Sequence, residues 1–237
     1  MSLKAVLFDF NGVIINDESI HERLIAEILI TENLRPQPRE FRACCLGKSD
    51  RICIKDILSQ RGRVVTESYL TQLILRKAQA YQRELEKLEK LPLFPGLEDL
   101  IFQIRSRNLK LAVVSGALRA EVEAILKRAN LAAYFTLIVA GDDITTSKPR
   151  PDGYLLAVER LNQLAPDFNL QPRECLAIED TPAGITAAKR AGIPVVGVAN
   201  SYPFHMLQRQ ANWTVDYLHD LDLNYVQQVY LQTQLVE

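Results

Sequence analysis

Short apolar runs separated by helical patterns are the feature that most constrains the fold of this sequence. The runs lie at residues 5–8, 111–114, 136–139, 175–178 and 195–198. From the second run onward, apolar residues at helical spacing fill the intervals, at residues 119–128, 153–164 and 183–191. Apolar runs of strand length that alternate with amphipathic helices are typical of a parallel sheet with helices on both faces. The sequence therefore predicts an α/β fold with a Rossmann-like doubly wound sheet, ending in an edge strand at 214–215 and a helix over 218–231.

The stretch between the first two runs contains no run of this kind. It is far longer than an ordinary crossover connection. Helical patterns cover residues 19–32, 49–60 and 66–89, and the Arg35-Pro36-Gln37-Pro38 segment separates the first from the others. We therefore predict an inserted helical cap domain over 17–91, joined by linkers to an α/β core over 1–16 and 92–237.

Composition and charge argue against several classes of function. The chain has 28 Lys and Arg against 29 Asp and Glu, whereas binding to a nucleic-acid backbone needs a clustered excess of basic residues. No apolar run has membrane-spanning length, and residues 1–4 lead directly into the first run without the anatomy of a signal peptide. We expect a soluble, cytoplasmic protein that binds neither nucleic acid nor membrane and is a monomer or a weak dimer.

The four cysteines show no pattern of a metal site. Cys44, Cys45, Cys53 and Cys175 form no CxxC pair and have no metal-ligand spacing with the histidines. The vicinal pair Cys44-Cys45 is compatible with a redox couple or with two ordinary thiols near a helix start. We expect ordinary thiols, as suits a reducing cytoplasm.

Polar side chains follow the apolar runs at the end where open parallel sheets bind their ligands. They supply a carboxylate after the first run, a hydroxyl after the second, an ammonium group after the third and an acidic pair at the end of the fourth. These residues are Asp9, Ser115 with Gly116, Lys148, and Glu179-Asp180. The predicted topology brings them to one edge of the sheet.

This order of residues resembles the haloacid dehalogenase superfamily of phosphotransferases. The four motifs of that superfamily match Asp9-Phe10-Asn11-Gly12-Val13, Ser115, Lys148-Pro149 and Glu179-Asp180, across nearly the whole chain. The predicted helical insertion is similar to the C1 cap of the superfamily, and the arrangement most resembles its β-phosphoglucomutase and phosphoglycolate phosphatase branch. The resemblance implies a phosphatase that acts on a small phosphorylated metabolite.

The resemblance also implies a role for each phosphate-binding residue. Asp9 would attack phosphorus and form an aspartyl-phosphate, which divides one difficult displacement into two easier ones. Lys148 would neutralise the phosphoryl oxygens, while the Ser115 hydroxyl and the Gly116 amide would donate hydrogen bonds to them.

A divalent cation is the cofactor that the resemblance implies. Carboxylates near a phosphoryl group repel it, so the site needs Mg²⁺, a hard cation that prefers oxygen ligands. The implied ligands are Asp9, Asp180 and the backbone carbonyl of Asn11. Glu179 would bind the ion directly or through a water molecule, or would support the ligands without binding the ion.

A loop in the predicted cap is a candidate for substrate binding. Leu46-Gly47-Lys48-Ser49 resembles the Gly-x-Ser loop that faces the active site in this branch. Gly47, Lys48 and Ser49 are therefore candidate substrate-binding residues, although a plain turn and N-cap before a helix at Asp50 explains them equally well. His21, a lone histidine near the cap linker, is expected to be structural.

Asn11 departs from the pattern of the superfamily. Hydrolytic and mutase members carry an aspartate at this position, which transfers protons, and an amide cannot do so. General acid/base catalysis contributes about 10²- to 10⁴-fold, or roughly 3 to 5 kcal/mol of barrier. We therefore predict a Mg²⁺-dependent phosphohydrolase of reduced or specialised activity, which favours acidic leaving groups such as acyl phosphates.

Two alternatives stay open. Asn11 also suits a phosphate-ligand binding protein that no longer turns its substrate over. It suits phosphonoacetaldehyde-hydrolase-like carbon–phosphorus cleavage as well, because those enzymes lack the second aspartate and use a cap lysine as a Schiff base. Lys48 lies in a suggestive loop but does not match that lysine residue by residue. Carbon–halogen cleavage is disfavoured by the acidic pair, and mutase activity by the missing base.

Overall fold

Six parallel strands form a single sheet at the centre of the molecule. The structure, a computed structural model, describes residues 2–232 apart from the side chain of Pro166. The strands are β1 (Ala5–Phe8), β2 (Lys110–Val114), β3 (Leu137–Val139), β4 (Cys175–Glu179), β5 (Val195–Val198) and β6 (Trp213–Val215). Their order is β3-β2-β1-β4-β5-β6, and every pairing is parallel. The predicted doubly wound α/β fold is confirmed, with each strand within one residue of its predicted bounds.

The central strand β1 explains why these runs are wholly apolar. It pairs with β2 on one side and with β4 on the other, and all of its residues are buried. Successive side chains point to opposite faces of a sheet. Val6 and Phe8 accordingly belong to one apolar cluster, while Ala5 and Leu7 belong to another. Helices cover both faces, so neither set of side chains is in contact with water.

Ten α-helices lie within the described residues. Those between residues 17 and 91 are α1 (Glu18–Thr31), α2 (Glu40–Cys44), α3 (Asp50–Gln60) and α4 (Glu67–Glu86). The others are α5 (Leu97–Ser106), α6 (Arg119–Arg128), α7 (Asp152–Leu164), α8 (Pro182–Arg190), α9 (Phe204–Leu207) and α10 (Leu223–Gln232). None of these helices has the combination of length and hydropathy that crossing a membrane requires.

The first four helices have an apolar cluster of their own. Ile25 of α1, Ile57 of α3 and Leu73 of α4 are buried together in it. No strand lies within residues 17–91, all of which the structure describes. The cap boundaries at 17 and 91 stay a prediction, and this helical unit with its separate cluster supports them.

Several helices differ from the sequence-based expectations. α4 ends at Glu86 rather than residue 89, and the guanidinium of Arg128 donates hydrogen bonds to the carbonyls of Leu85, in the last turn, and of Leu88, beyond the helix end. The helix predicted over 218–231 is divided into a 3₁₀ turn and α10, because Asp222 accepts hydrogen bonds from the first backbone amides of α10. The short helices α2 and α9, and α5, were not among the predicted elements.

The cysteines also differ from expectation, because Cys45 and Cys53 form a disulfide. Their Cα atoms are 4.4 Å apart, a distance that suits a disulfide. Residues 46–49 reverse the chain between α2 and α3, so the residue after α2 meets the first turn of α3. The expectation of ordinary thiols at Cys44-Cys45 is therefore wrong for Cys45, whereas Cys44 and Cys175 are free and buried.

Candidate active site

The carboxylate of Asp9 lies at the end of the central strand, paired with a buried lysine. The Asp9 N–H donates to the Ile178 carbonyl at 2.9 Å, which continues the pairing of β1 with β4. Lys148 Nζ lies 2.6 Å from Asp9 Oδ1 and 2.7 Å from Glu179 Oε1. Burial alone would lower the pKa of Lys148, but the charges of the two carboxylates raise it. The lysine is therefore a fixed positive charge beside the predicted nucleophile.

The loop that carries Lys148 is anchored at its beginning. Asp143 binds Arg119 of α6 at 2.6 Å and Arg160 of α7 at 3.1 Å. The Asp143 side chain also accepts a hydrogen bond from the Ala140 amide at 2.8 Å. Two helices thus hold the loop that places the ammonium group over the end of the sheet.

Three carboxylates form a cluster that fits a divalent cation. Oxygens of Asp9, Glu179 and Asp180 lie within 4.8 Å of one another. Glu179 Oε2 and Asp180 Oδ1 are buried and have no hydrogen-bond partner among the described residues. Such oxygens are costly to bury without a compensating charge. An all-oxygen, strongly acidic donor set of this kind suits Mg²⁺.

Burial and the neighbouring negative charges raise the pKa values of the acidic pair, Glu179 and Asp180. Burial and the nearby Asp9 carboxylate raise the pKa of Glu179 to about 8, against the opposing charge of Lys148. Burial, with the charges of Asp9, Glu18 and Glu179, raises the pKa of Asp180 well above its ordinary value. A bound cation would favour the charged forms of both side chains.

Gly12 permits the first motif to approach the acidic pair. Its φ is +82°, and a Cβ atom on it would lie 1.8 Å from Asp180 Oδ2. Only glycine fits a position that combines this backbone conformation with so close an approach. The carbonyl of Gly12 accepts a hydrogen bond from Asn200 Nδ2 at 2.7 Å.

Residues after β5 complete this side of the site. The Ser201 hydroxyl contacts Asp180 Oδ2 and lies 2.7 Å from Glu18 Oε1. The sequence prediction did not include Asn200, Ser201 or Glu18. Asn200 and Ser201 follow the fifth apolar run. The rule that ligand-binding residues follow the strands of a parallel sheet therefore predicts them as well.

Ser115 and Gly116 lie where the core meets the cap. The Ser115 N–H donates to the Val139 carbonyl at 2.9 Å, and Ser115 Oγ accepts a hydrogen bond from the Ala117 amide at 3.0 Å. Its own hydroxyl proton is therefore available for a ligand. A Cβ atom on Gly116 would lie 2.9 Å from the Ser49 nitrogen, so glycine is needed for the cap loop to approach.

The predicted substrate loop touches the core at further points. The Ser49 N–H donates to Ser147 Oγ at 2.8 Å, and a Cβ atom on Gly47 would lie 2.5 Å from Thr181 Oγ1. Lys48 instead pairs with Asp56 of α3 at 3.2 Å. The loop thus faces the strand ends, and its role in substrate binding stays a prediction.

The side chain of Asn11 is held by a buried carboxylate. Asn11 Nδ2 donates to Asp17 Oδ1 at 2.9 Å and lies 3.2 Å from His21 Nε2. Asp17 also accepts a hydrogen bond from the Tyr81 hydroxyl. Burial would raise the pKa of Asp17, but its interaction with the adjacent His21 and the hydrogen bonds from His21, Asn11 and Tyr81 hold it below its ordinary value. The Asn11 amide is therefore a satisfied donor to a charged acceptor.

His21 connects this carboxylate to the cap. Lys77 Nζ lies 2.7 Å from His21 Nδ1 and 2.6 Å from Asp50 Oδ2. Because an ammonium group can only donate, His21 Nδ1 accepts and Nε2 is left to donate to Asp17. His21 also lines the cleft, and its expected structural role stays a prediction. The sequence contained a signal for the contact between Asp17 and His21. The two residues are four apart at the start of α1, and residues at that spacing share a helix face.

The predicted site residues meet in a cleft between the strand ends and the cap loop. Asp9, Asn11, Gly47, Lys48, Gly116 and Lys148 line it. Ser115, Glu179 and Asp180 lie beside Asp9 and Lys148, and Ser49 closes the loop. Sequence reasoning missed Asp17, Lys77 and Tyr81, because their meeting depends on how α1 packs against α4.

Comparisons with known proteins agree with this geometry. A family model described as haloacid dehalogenase-like hydrolase matches residues 3–192. A β-phosphoglucomutase of Bacillus subtilis (strain 168) is 31% identical over 225 residues, which cover 92% of this chain and 95% of that protein. A phosphorylated carbohydrates phosphatase of Thermotoga maritima is 27% identical over 209 residues, covering 84% of this chain and 87% of that protein. The crystal structure of a β-phosphoglucomutase from Clostridium difficile has the same fold, with a TM-score of 0.85 and 22% identity over 98% of this chain and 99% of that one.

Proposed function

Because this chain belongs to the haloacid dehalogenase-like hydrolase family, we propose that it is a Mg²⁺-dependent phosphatase that acts through an aspartyl-phosphate at Asp9. The superfamily resemblance inferred from the motifs is confirmed, and the phosphatases among its relatives support the reaction type. The observation that carries the proposal is the burial of Asp9 between Lys148 and two carboxylates with unpartnered oxygens. We propose a small phosphorylated metabolite as the substrate.

In this proposal the residues of the site divide the work of phosphoryl transfer. An Asp9 oxygen forms a bond to phosphorus as the bond to the leaving oxygen breaks, and water then hydrolyses the aspartyl-phosphate. Lys148 pairs with the Asp9 carboxylate and offsets the phosphoryl charge, while the Ser115 hydroxyl and Gly116 amide donate to phosphoryl oxygens.

The metal has a defined place in this scheme. Asp9, Asp180 and the Asn11 backbone carbonyl would hold Mg²⁺, with Glu179 directly or through water. When bound, the ion would neutralise charge on the phosphoryl oxygens. Lys148 and Tyr154 already contact Glu179 Oε1, at 2.7 and 2.6 Å, so Oε2 is the oxygen available to the ion or its water.

Asn11 directs the proposal toward acidic leaving groups. Its Nδ2 is committed to Asp17, so residue 11 neither protonates a leaving alkoxide nor activates water. The missing proton transfer corresponds to roughly 3 to 5 kcal/mol for a poor leaving group. Acyl and aryl phosphates, whose leaving groups need no proton, should therefore be turned over best.

Rapid-quench kinetics with acetyl phosphate or an aryl phosphate test the proposal. We expect a Mg²⁺-dependent burst of leaving group stoichiometric with enzyme, because the aspartyl-phosphate forms faster than it is hydrolysed. Asp9→Asn and removal of metal by EDTA should each abolish the burst. Absence of a burst and of steady-state turnover, with no difference between wild type and Asp9→Asn, would contradict the proposal.

Carbon–phosphorus cleavage remains the second candidate, because the cleft contains a buried cap lysine. That lysine is Lys77, which lines the cleft, whereas Lys48 was the residue noted in the sequence. Lys77 Nζ lies 2.6 Å from Asp50 Oδ2, and Schiff-base formation would require this nitrogen to leave the carboxylate and attack the substrate carbonyl. Borohydride trapping with phosphonoacetaldehyde would label Lys77 or Lys48 if this reaction occurs, and peptide mass spectrometry would distinguish them.

A cytoplasmic location and a monomeric or weakly dimeric state are part of the same proposal. Fractionation and light scattering test them directly. In a reducing cytoplasm the Cys45–Cys53 disulfide would be exposed to cellular thiols.

A further inference from the structure

The cleft contains a buried carboxylate that the proposed phosphoryl transfer does not use. Glu121, in the first turn of α6, is only 7% exposed and lines the cleft. Its Oε2 accepts a hydrogen bond from the Leu118 amide at 3.4 Å at the start of that helix. Its Oε1 is buried and has no hydrogen-bond partner among residues 2–232. The helix start thus fixes one oxygen and leaves the other without a hydrogen-bond donor.

Lys77 does not satisfy this oxygen. The charge of Lys77 acts on Glu121 and opposes the rise in its pKa that burial causes. The hydrogen bonds of Lys77 Nζ, however, go to Asp50 and to His21. Glu121 Oε1 is therefore an acceptor that lacks a donor.

The other cations of the cleft are also paired. Within the described part of the chain, the lysines lining it are Lys48, Lys77 and Lys148. Each lies within 3.2 Å of a carboxylate oxygen, on Asp56, Asp50 and Asp9 respectively. Lys148 faces the transferring phosphate, and the other two offer no unpaired charge to a second anionic group.

From this arrangement we propose that Glu121 determines specificity by accepting a hydrogen bond from a hydroxyl group of the substrate. The substrate class is then a hydroxylated monophosphate, and bisphosphates and monophosphates that carry a free carboxylate group are poor substrates. A second anion would face the Glu121 carboxylate, and like charges brought together in a partly dry cleft repel strongly. A hydroxyl would instead supply the donor that Oε1 lacks. This proposal rests on the proposed phosphatase function.

The test compares Glu121→Gln with wild type and with a matched control, Glu123→Gln. Glu123 is on the same helix, but its side chain is 55% exposed and pairs with Arg119 outside the cleft. The probes are glucose 6-phosphate, fructose 1,6-bisphosphate and acetyl phosphate, each with Mg²⁺. Steady-state kinetics give KM and kcat, and thermal shift with the same probes reports binding without turnover.

We expect wild type and Glu123→Gln to favour glucose 6-phosphate over the bisphosphate by at least about tenfold. In Glu121→Gln, the KM for glucose 6-phosphate should rise by about 10- to 100-fold with little change in kcat, as expected for loss of a hydrogen bond to a charged group. Its discrimination against the bisphosphate should shrink, because the repelling charge is gone. Acetyl phosphate, which has no hydroxyl group to reach Glu121, should be unaffected.

The outcomes separate this proposal from the underlying function. Unchanged KM and selectivity in a folded Glu121→Gln variant that still hydrolyses acetyl phosphate would overturn the role of Glu121 alone, as would a wild-type preference for the bisphosphate. If wild type hydrolyses none of the probes, the phosphatase function fails. The thermal shifts then decide on Glu121, since equal stabilisation of wild type and Glu121→Gln by glucose 6-phosphate, or no stabilisation of either, would overturn its role.

Discussion

Replacing Asn11 by aspartate is expected to create a carboxylate pair instead of a free acid/base. Asn11 Nδ2 lies 2.9 Å from Asp17 Oδ1, so an aspartate oxygen in its place would face Asp17 at nearly that distance. Two unit charges so close repel by about 6 kcal/mol at an effective dielectric constant of 20. The pair should therefore retain one proton at neutral pH, as carboxylates that share a site do.

The sign of the pH dependence follows from this proton. The folded Asn11→Asp variant holds a proton that its unfolded chain releases above a pKa of about 4. Its stability relative to wild type should therefore fall as pH rises from 5 to 8, by about 2 to 4 kcal/mol. Urea unfolding followed by circular dichroism at both pH values, in EDTA, measures the difference.

A double variant provides the matched control. Asn11→Asp combined with Asp17→Asn exchanges the carboxylate and the amide, which restores a single charge and a hydrogen bond between the two positions. Its stability relative to wild type should depend little on pH. An equal loss of stability for the single variant at pH 5 and pH 8 would refute the reasoning.

The same pair determines how activity measurements should be read. At neutral pH the single variant has no free base at residue 11, so we expect little gain in phosphatase activity. The double variant should gain up to about 10²- to 10⁴-fold with poor leaving groups. An inactive Asn11→Asp variant alone would therefore not identify the protein as a binding protein, whereas inactivity of both variants, with ligand binding intact, would.

Three further predictions concern the metal, the lysine and the disulfide. Mg²⁺ should raise the Tm of wild type but not of Asp180→Asn, as measured by scanning fluorimetry, because the ion binds the folded cluster; equal shifts would argue against this ligand. Lys148→Met should abolish turnover and lower the free energy of unfolding by about 3 to 5 kcal/mol at pH 8, since it leaves two carboxylates buried together; urea titration measures this, and a change below 1 kcal/mol would contradict it. Cys53→Ser should lower the free energy of unfolding by about 2 to 3 kcal/mol under non-reducing conditions, given the short loop that the disulfide closes. Cys44→Ser is the control, and mass spectrometry of the alkylated, unreduced wild type should find two free thiols.

The sheet and the strand-end residues were predictable because they depend on local pattern and on one topological rule. Buried parallel strands must be apolar on both faces, so β1 and β5 could be located to the residue. Their carboxyl ends meet at one edge, which brought Asp9, Lys148 and Asp180 together without knowledge of any helix. Ser201, which follows β5, obeys the same rule and was predictable on the same ground.

What sequence reasoning missed depends on packing between distant segments. Asp17 and Tyr81 meet because α1 lies against α4, and spacing alone does not give that contact. The Cys45–Cys53 pair depends on the turn of residues 46–49, since a separation of eight residues has no characteristic pattern. Glu121 resembles any acidic residue in the first turn of a helix, and only its unpartnered oxygen distinguishes it.

The backbone pairing beneath the reactive groups has a consequence for hydrogen exchange. The amides of Asp9 and Ser115 donate to the carbonyls of Ile178 and Val139 inside the sheet, where exchange with solvent requires the most extensive unfolding. The cap loop contacts the core through the Ser49 amide and a serine hydroxyl, a bond that breaks without disturbing any strand. We therefore expect slow hydrogen exchange at the amides of Asp9 and Ser115, in the sheet, and fast exchange at the amide of Ser49, in the cap loop. The cap loop can then open and close many times while the nucleophile and its neighbouring hydroxyl keep their spacing.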